Sequence, residues 1–511
     1  MVSLLFLSWF LTLRFSEPWT NTVDFNGAVW TQAAHNLLQA GLGTTAGVPA
    51  VFYFGPPPIP ASEYYAHHPS LLHLEIALLI QLFGEHEWVA RLLPVVCSLM
   101  SAILLWLLVK ECAGPRAATL ATTLFASLPM ELHYGSMVNF EPCTLMWMLL
   151  GMLGLRRWEM TGKSYWCVLM VSSLALAMFT AWLGYFLVLI LCIHFTFFAR
   201  NKQRALSFLL LGIALFSVAV FLFQIRWIKP EAWEDLAGAF RLRLGQKLSN
   251  GEGFTLHQWA DRVGHSLLVH FPPLAWVLAG LGALRGWRSR QALPQDLLSA
   301  GNGVNWLNWV SFCFFLLSFV YVVGFKNASF IHDYASFYFL VPLSIMGGVG
   351  LDGLAERISK ARGISGGAFA GNAVVLSILL LSGWTGYQGA KALETQTYIL
   401  ETDDPEPADL VPALGNLLKK EFAPETYIYC NFAVDYCPQL GYYSQRLLIN
   451  GLTEADDWKD GLASEKKLPG GVIWMGAPEA KEILAILPAG PRREVNIGGI
   501  PFCIWNGRGR Q

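Results

Sequence analysis

The residues of this chain whose chemistry goes beyond packing are two carboxylates, three imidazoles, a lysine and a tyrosine, each in apolar surroundings. Asp24 stands in TVDFNGAVWTQAAHNLLQAG, at the start of a helix with Ala28, Ala33, Leu37 and Leu38 on its apolar side, a pattern suited to lying along a membrane interface. A carboxylate there either favours the helix N-terminus or serves chemistry. Glu141, in GSMVNFEPCTLMW directly before Pro142, has the same two readings: a helix-start residue, or an ionisable group kept at a membrane boundary for function. His67 and His68 precede Pro69 in EYYAHHPSLLHL, with no Lys or Arg close in sequence. Paired imidazoles hold a phosphate or a metal, or act as interfacial side chains, and the absence of HxH or HxxxH spacing leaves a divalent metal without support. GFKNASFIHDYASFYFLVP brings Lys326, His332, Asp333 and Tyr334 to the head of an apolar run. That is an interfacial belt with a snorkelling lysine, or a cationic clamp for an anionic lipid head group.

The elements that position these groups are apolar spans. The chain is 54% hydrophobic and 14% charged, with 35 Lys+Arg against 36 Asp+Glu and a mean hydropathy of +0.44. This excludes a disordered chain, a nucleic-acid binder held by bulk charge and an ordinary soluble protein, whose charged fraction is roughly 25%. Windows long enough to cross hydrocarbon lie at 1–15, 88–109, 116–132, 140–156, 164–180, 182–199, 205–225, 270–285, 304–324, 334–355 and 364–388, which makes eleven spans. Phe15 to Ala90 holds no Lys or Arg. The short loops with Lys110 and Arg116, with Arg156, Arg157 and Lys163, with Arg200, Lys202 and Arg204, with Arg285, Arg288 and Arg290, and with Arg357, Lys360 and Arg362 are all basic. Eleven spans put every basic loop on one side, the cytoplasmic one by the positive-inside rule. Loops 16–87 and 226–269, the 325–333 turn and the tail from about 389 then share the exoplasmic face. Loop 226–269 carries Arg226, Lys229, Arg241, Arg243 and Lys247, either to help hold a phosphate or as a surface helix on anionic lipid.

The tail reads differently. β-rich runs at Tyr427–Asn431, Arg446–Ile449, Val472–Met475 and Pro501–Trp505 alternate with helix-like stretches at 407–421, 454–464 and 478–487, predicting a small α/β domain after a Thr402–Asp409 linker. Five of the nine cysteines lie in apolar spans and Cys112 in a cytoplasmic loop; Cys430, Cys437 and Cys503 are placed where a disulfide is permitted, with the pairing open. Asn327-Ala328-Ser329 is a formal glycosylation sequon close to the membrane. Nucleotide-binding and metalloprotease motifs are absent from the sequence.

The order of these features resembles the GT-C glycosyltransferases: Asp24 before a helix ending in NLLQAG, then YYAHHPSL, WVARLLP, NFEPCTL and HDYASFYFLVP. It is most similar to the branch with the protein O-mannosyltransferases and the bacterial aminoarabinose transferases. The likeness covers the first four spans and the tenth, and not the tail. The apolar windows and the tail pattern give the architecture, an all-α polytopic transmembrane domain over 1–388, which the resemblance makes catalytic, and a soluble exoplasmic α/β domain over 389–511. The implied activity is transfer of a hexose or pentose from a polyprenyl-phosphate donor to an exoplasmic lipid, polysaccharide or protein; the single sequon and compact loops point to a bacterial plasma membrane. Asp24 matches the family's catalytic carboxylate and Glu141 its second acidic site. The aminoarabinose branch carries a Glu-Lys pair where His67 and His68 stand, so this position departs from the pattern. A hydroxyl is a weak nucleophile, so Asp24 would take its proton during an inverting displacement. The departing lipid phosphate would meet His67, His68, Lys326, His332 and Tyr334. No nucleic acid and no further cofactor enter this reading. A transporter would need charged groups mid-span or repeated halves, and neither is evident. A receptor or scaffold would tolerate loss of Asp24 and Glu141.

Overall fold

The computed structural model describes residues 1–20, 22–198, 201–248, 251–291, 303–361, 367–393, 409–430, 437–449, 471–475 and 491–506. Helices run in the order α1 Val2–Thr12, α2 Thr22–Ala40, α3 Leu42–Thr45, α4 Leu71–Phe83, α5 Glu87–Ser127, α6 Pro129–Tyr134, α7 Phe140–Thr161, α8 Ser164–Thr180, α9 Trp182–Phe197, α10 Asn201–Ile228, α11 Ala232–Leu244, α12 Leu256–His270, α13 Pro273–Gln291, α14 Gly303–Gly324, α15 Lys326–Ile331, α16 Leu340–Ala361 and α17 Gly367–Leu393. The tail adds α18 Leu410–Glu421, β1 Tyr427–Cys430, α19 Cys437–Ser444, β2 Leu447–Ile449, β3 Gly471–Met475, β4 Arg492–Ile497 and β5 Ile500–Asn506.

Helix occupies each of the eleven predicted windows. α5 holds two of them, broken where Gly114 takes φ +88° and Pro115 restarts the helix, the conformation that glycine alone adopts without strain. Among the described residues five helices are long and apolar enough to cross a membrane, or six if α12 and α13, bent by 80°, form one span. α1, α8 and α9 are apolar but shorter. The 270–285 window thus starts at a bend, where Phe271 and Pro272 separate the two helices.

The chain divides into two compact units. The first comprises Met1–Phe15, Ala66–Leu72 and Leu92–Thr395; the second comprises Ser16–Tyr65, His73–Arg91 and Gln396–Gln511. Small residues let backbones approach in the first unit: a Cβ on Gly154 of α7 would sit 2.8 Å from Met170 N of α8, and one on Gly348 of α16 would sit 2.5 Å from Ala121 N. Lipid offers no hydrophobic gain to helix association, so such close packing carries it. At the ends of these helices rich in cations, Arg157 pairs with Glu111 (2.8 Å) and Arg285 with Asp352 (2.9 Å) and Glu356 (3.0 Å).

In the second unit the strands form one sheet in the order β2-β1-β3-β5-β4, parallel across β2, β1 and β3 and antiparallel across β3, β5 and β4. α18 supplies Leu410, Val411, Leu414 and Leu418 to a core with Ile428, Cys430, Phe502 and Ile504, the i, i+4 spacing of an amphipathic helix. The strands at 427–430, 447–449, 471–475 and 500–506 lie where predicted, while β4 and α19 were not foreseen. The 454–464 and 478–487 stretches, and the linker up to 408, lie outside the described residues. Cys430 and Cys503 are free thiols; the side chain of Cys437 lies outside the described residues.

α2 departs from the expected interfacial helix. Residues 27–34 are buried on every side, and Gln32 and Asn36 donate to Tyr53 O at 3.0 and 2.7 Å, Asn36 also to Ala50 O at 2.7 Å. Protein, not lipid, covers the face that the sequence left apolar, and two amides satisfy a loop backbone that water does not reach.

Candidate active site

In the first unit the His67-His68 turn is held by contacts from three elements. Trp182, the first residue of α9, donates its indole N–H to His67 O at 2.7 Å and fixes the turn. The His68 ring stacks on Phe140 (centroids 4.4 Å apart), the residue before Glu141. Arg243, near the end of α11, donates Nη1–H to His68 Nε2 at 2.8 Å. A guanidinium has donors only, so Nε2 accepts and the ring proton sits on Nδ1. Burial, then Arg243, then His67 and His332 hold His68 well below the usual histidine range. Burial and Arg243 likewise lower His67 and His332 to about 4 each. His332 is exposed by surface area although many protein atoms lie around its ring. The result is three neutral imidazoles around a permanent cation.

Tyr334 stacks on His332 (4.9 Å) and meets the Tyr134 ring edge-on (5.8 Å). Tyr134 donates to Asp333 Oδ1 at 2.5 Å, its phenol held far above the usual range by burial and by that carboxylate. His270 donates Nδ1–H to Ser266 O at 2.7 Å and turns Nε2 toward Asp333 Oδ2 at 3.4 Å. Asp333 is therefore the polar hub that orients the 3-10 turn Asp333–Phe339. Lys326, expected beside the phosphate, begins α15 and is absent from these contacts among the described residues; the cation bonded to His68 is Arg243. The sequon residue Asn327 is buried and donates to Lys247 O, so its amide is committed inside the fold.

Glu141 lies in the first turn of α7, 5% exposed. Its Oε2 is buried without a hydrogen-bond partner among the described residues, and Tyr338, whose hydroxyl is paired with Thr144, lies within electrostatic reach of Glu141. An unpaired buried polar group costs about 1–3 kcal/mol.

Asp24 belongs to the second unit, in the first turn of α2, 4% exposed. Arg91 Nη2 donates to Asp24 Oδ1 at 2.9 Å and the backbone N–H of Thr20 to Oδ2 at 3.1 Å. The Arg91 guanidinium lies over the Trp19 ring at 4.1 Å and also donates to Glu17 O. Arg91, Trp19 and Tyr134 were not picked out as site residues from sequence, and Asp333 was named only as a neighbour of His332 and Tyr334. An arginine at the head of the apolar span WVARLLP is the signal that would have found Arg91. Arg243 was one of five loop cations with nothing to rank it. No cluster of three metal-ligating side chains occurs among the described residues.

The family model for dolichyl-phosphate-mannose-protein mannosyltransferases matches residues 67–227. A comparison with curated proteins gives no match. Among solved structures, ArnT from Cupriavidus metallidurans bound to undecaprenyl phosphate superposes with a TM-score of 0.62 at 15% identity, covering 99% of this chain and 97% of that one. Its apo state gives 0.60 at 14%, covering 100% and 98%. The archaeal oligosaccharyltransferase AglB from Archaeoglobus fulgidus, in complex with an inhibitory peptide and a dolichol-phosphate, gives 0.57 at 12%, covering 93% and 69%. The chain therefore has the GT-C glycosyltransferase fold and resembles the group of protein O-mannosyltransferases and aminoarabinose transferases.

Proposed function

We propose that this protein is an integral membrane glycosyltransferase that moves a sugar from a polyprenyl-phosphate donor to an exoplasmic acceptor with inversion. The observation that carries the reading is the Arg243-centred cluster of His67, His68 and His332, a phosphate-type site in a GT-C fold. Solved structures of the same fold with undecaprenyl phosphate or a dolichol-phosphate support a lipid carrier. In this reading the acceptor oxygen attacks the anomeric carbon, the bond to the phosphate oxygen breaks, and the lipid phosphate leaves with its electron pair. Asp24 receives the hydroxyl proton, and Arg91 compensates its buried charge. Arg243 and the imidazoles take up the charge that grows on the leaving phosphate. Glu141 Oε2 has the unmet hydrogen-bonding capacity that a sugar hydroxyl would fill.

The same reading sets eleven spans with the basic loops in the cytoplasm, a membrane domain over 1–388, and an exoplasmic α/β domain over 389–511, in a bacterial plasma membrane. Its test is transfer or release of sugar from a panel of undecaprenyl- and dolichyl-phosphate hexoses and pentoses by the purified protein and by Asp24→Asn. Turnover that the variant loses supports the reading and names the donor. Undiminished turnover in the variant removes Asp24 as the base.

A further inference from the structure

Asp24 is held in place from the far end of the chain. Tyr443, on α19 of the C-terminal α/β domain, donates its hydroxyl to Glu87 Oε1 at 2.6 Å and accepts the backbone N–H of Trp19 at 2.8 Å. Both partners bear on Arg91. Glu87 lies one helical turn before it on α5, on the same face, and Trp19 is the aromatic surface on which the guanidinium rests. Trp19 is in turn seated against α2: a Cβ on Gly27 would lie 2.5 Å from its ring carbon Cε3, and Gly27 is three residues from Asp24. One phenol thus ties the helix turn that projects Arg91 to the ring that supports it, and Arg91 grips the carboxylate. A separate contact, Gln445 Nε2 to Gln32 Oε1 at 2.9 Å, keeps α19 in register with α2 without touching this chain of groups.

We infer that Tyr443 is a positioning residue for Asp24, acting through Trp19, Glu87 and Arg91, so that the C-terminal domain is a working part of the active site. The inference rests on the reading that Asp24 carries the chemistry. It concerns a hydrogen-bonding hydroxyl, so the informative change is Tyr443→Phe, which keeps the ring. With the donor that the wild type turns over, Tyr443→Phe is expected to lower kcat about ten- to hundredfold with the donor KM within twofold of wild type, the scale for losing a hydrogen bond to a charged group. In an Arg91→Lys background the same change is expected to cost less than about twofold, because residues acting in series are not additive. Hydrogen exchange followed by mass spectrometry supplies a readout without turnover: the peptide spanning Trp19 to Asp24 should exchange about tenfold faster in Tyr443→Phe and at the wild-type rate in Gln445→Ala. Wild-type kcat, full additivity with Arg91→Lys, or unchanged exchange at Trp19 overturns the inference while leaving the proposed function standing. Equal turnover by wild type and Asp24→Asn would instead overturn the function on which it rests.

Discussion

The Asp24–Arg91 pair offers a quantitative check, because its two side chains are only 6% and 4% exposed. Arg91→Met keeps most of the apolar stem and removes the guanidinium. A carboxylate stranded in such a site costs about 3–5 kcal/mol, and the lost cation–π contact with Trp19 adds about 0.5–2 kcal/mol. Arg91→Met is therefore expected to destabilise the protein by about 4–6 kcal/mol. Asp24→Asn alone leaves the guanidinium with its Glu17 carbonyl and its aromatic platform, and should cost about 2–3 kcal/mol. The double variant strands neither charge, so it should recover most of the about 3–5 kcal/mol that the lone carboxylate costs in Arg91→Met, which makes the coupling several kcal/mol. Reversible denaturation in detergent micelles of the four proteins measures this directly. A coupling below about 0.5 kcal/mol would mean that the two groups do not act as a buried ion pair, and the account of how Asp24 is held would fall.

Arg243→Met should raise the donor KM, and the inhibition constant for free undecaprenyl phosphate, by roughly tenfold or more, since a charge-assisted contact is worth about 1.5–3 kcal/mol; an unchanged inhibition constant would separate the cluster from phosphate. Glu141→Leu should abolish turnover while stabilising the protein by about 1–3 kcal/mol, because a partnerless buried oxygen is removed; a loss of stability on denaturation would show that Glu141 is structural. His67 and His332 sit near 4 when folded against an ordinary 6.5, so between those values the unfolded chain binds more protons and stability rises with pH across that window. Melting temperatures of wild type and His67→Asn/His332→Asn against pH should converge above about 6.5 and diverge below it. For the same reason undecaprenyl phosphate should take up protons on binding and bind more tightly as the pH falls from 7 toward 5, which calorimetry in two buffers would register.

Much of the architecture was legible because lipid imposes a coarse rule: backbone must be satisfied within helices, and apolar runs of span length announce them. The α/β tail was legible where strands are apolar, as at Tyr427–Cys430, and hidden at β4, whose RREVNI is the charged sequence of an edge strand that avoids further pairing. Asp24, Glu141, His67 and His68 stood out since each is a polar group where an apolar element needs none. What joins them was illegible for a different reason. Arg243 contacts His68 across 175 residues and Tyr443 contacts Glu87 across 356, and nothing local in AFRLRL or GYYSQ distinguishes these side chains from surface neighbours. α2 misled because an amphipathic pattern marks an apolar face without saying whether lipid or another part of the chain covers it.

The tie between Trp19 and Tyr443 spans 424 residues, and that separation sets a clock during synthesis. A ribosome adding ~5–20 residues per second needs roughly 20 to 85 s to travel it. Through that interval the segment bearing Asp24 has already left the ribosome, yet the hydroxyl that steadies it has not been made. Nascent chains and prematurely terminated ones therefore lack the Tyr443 hydroxyl that holds Trp19.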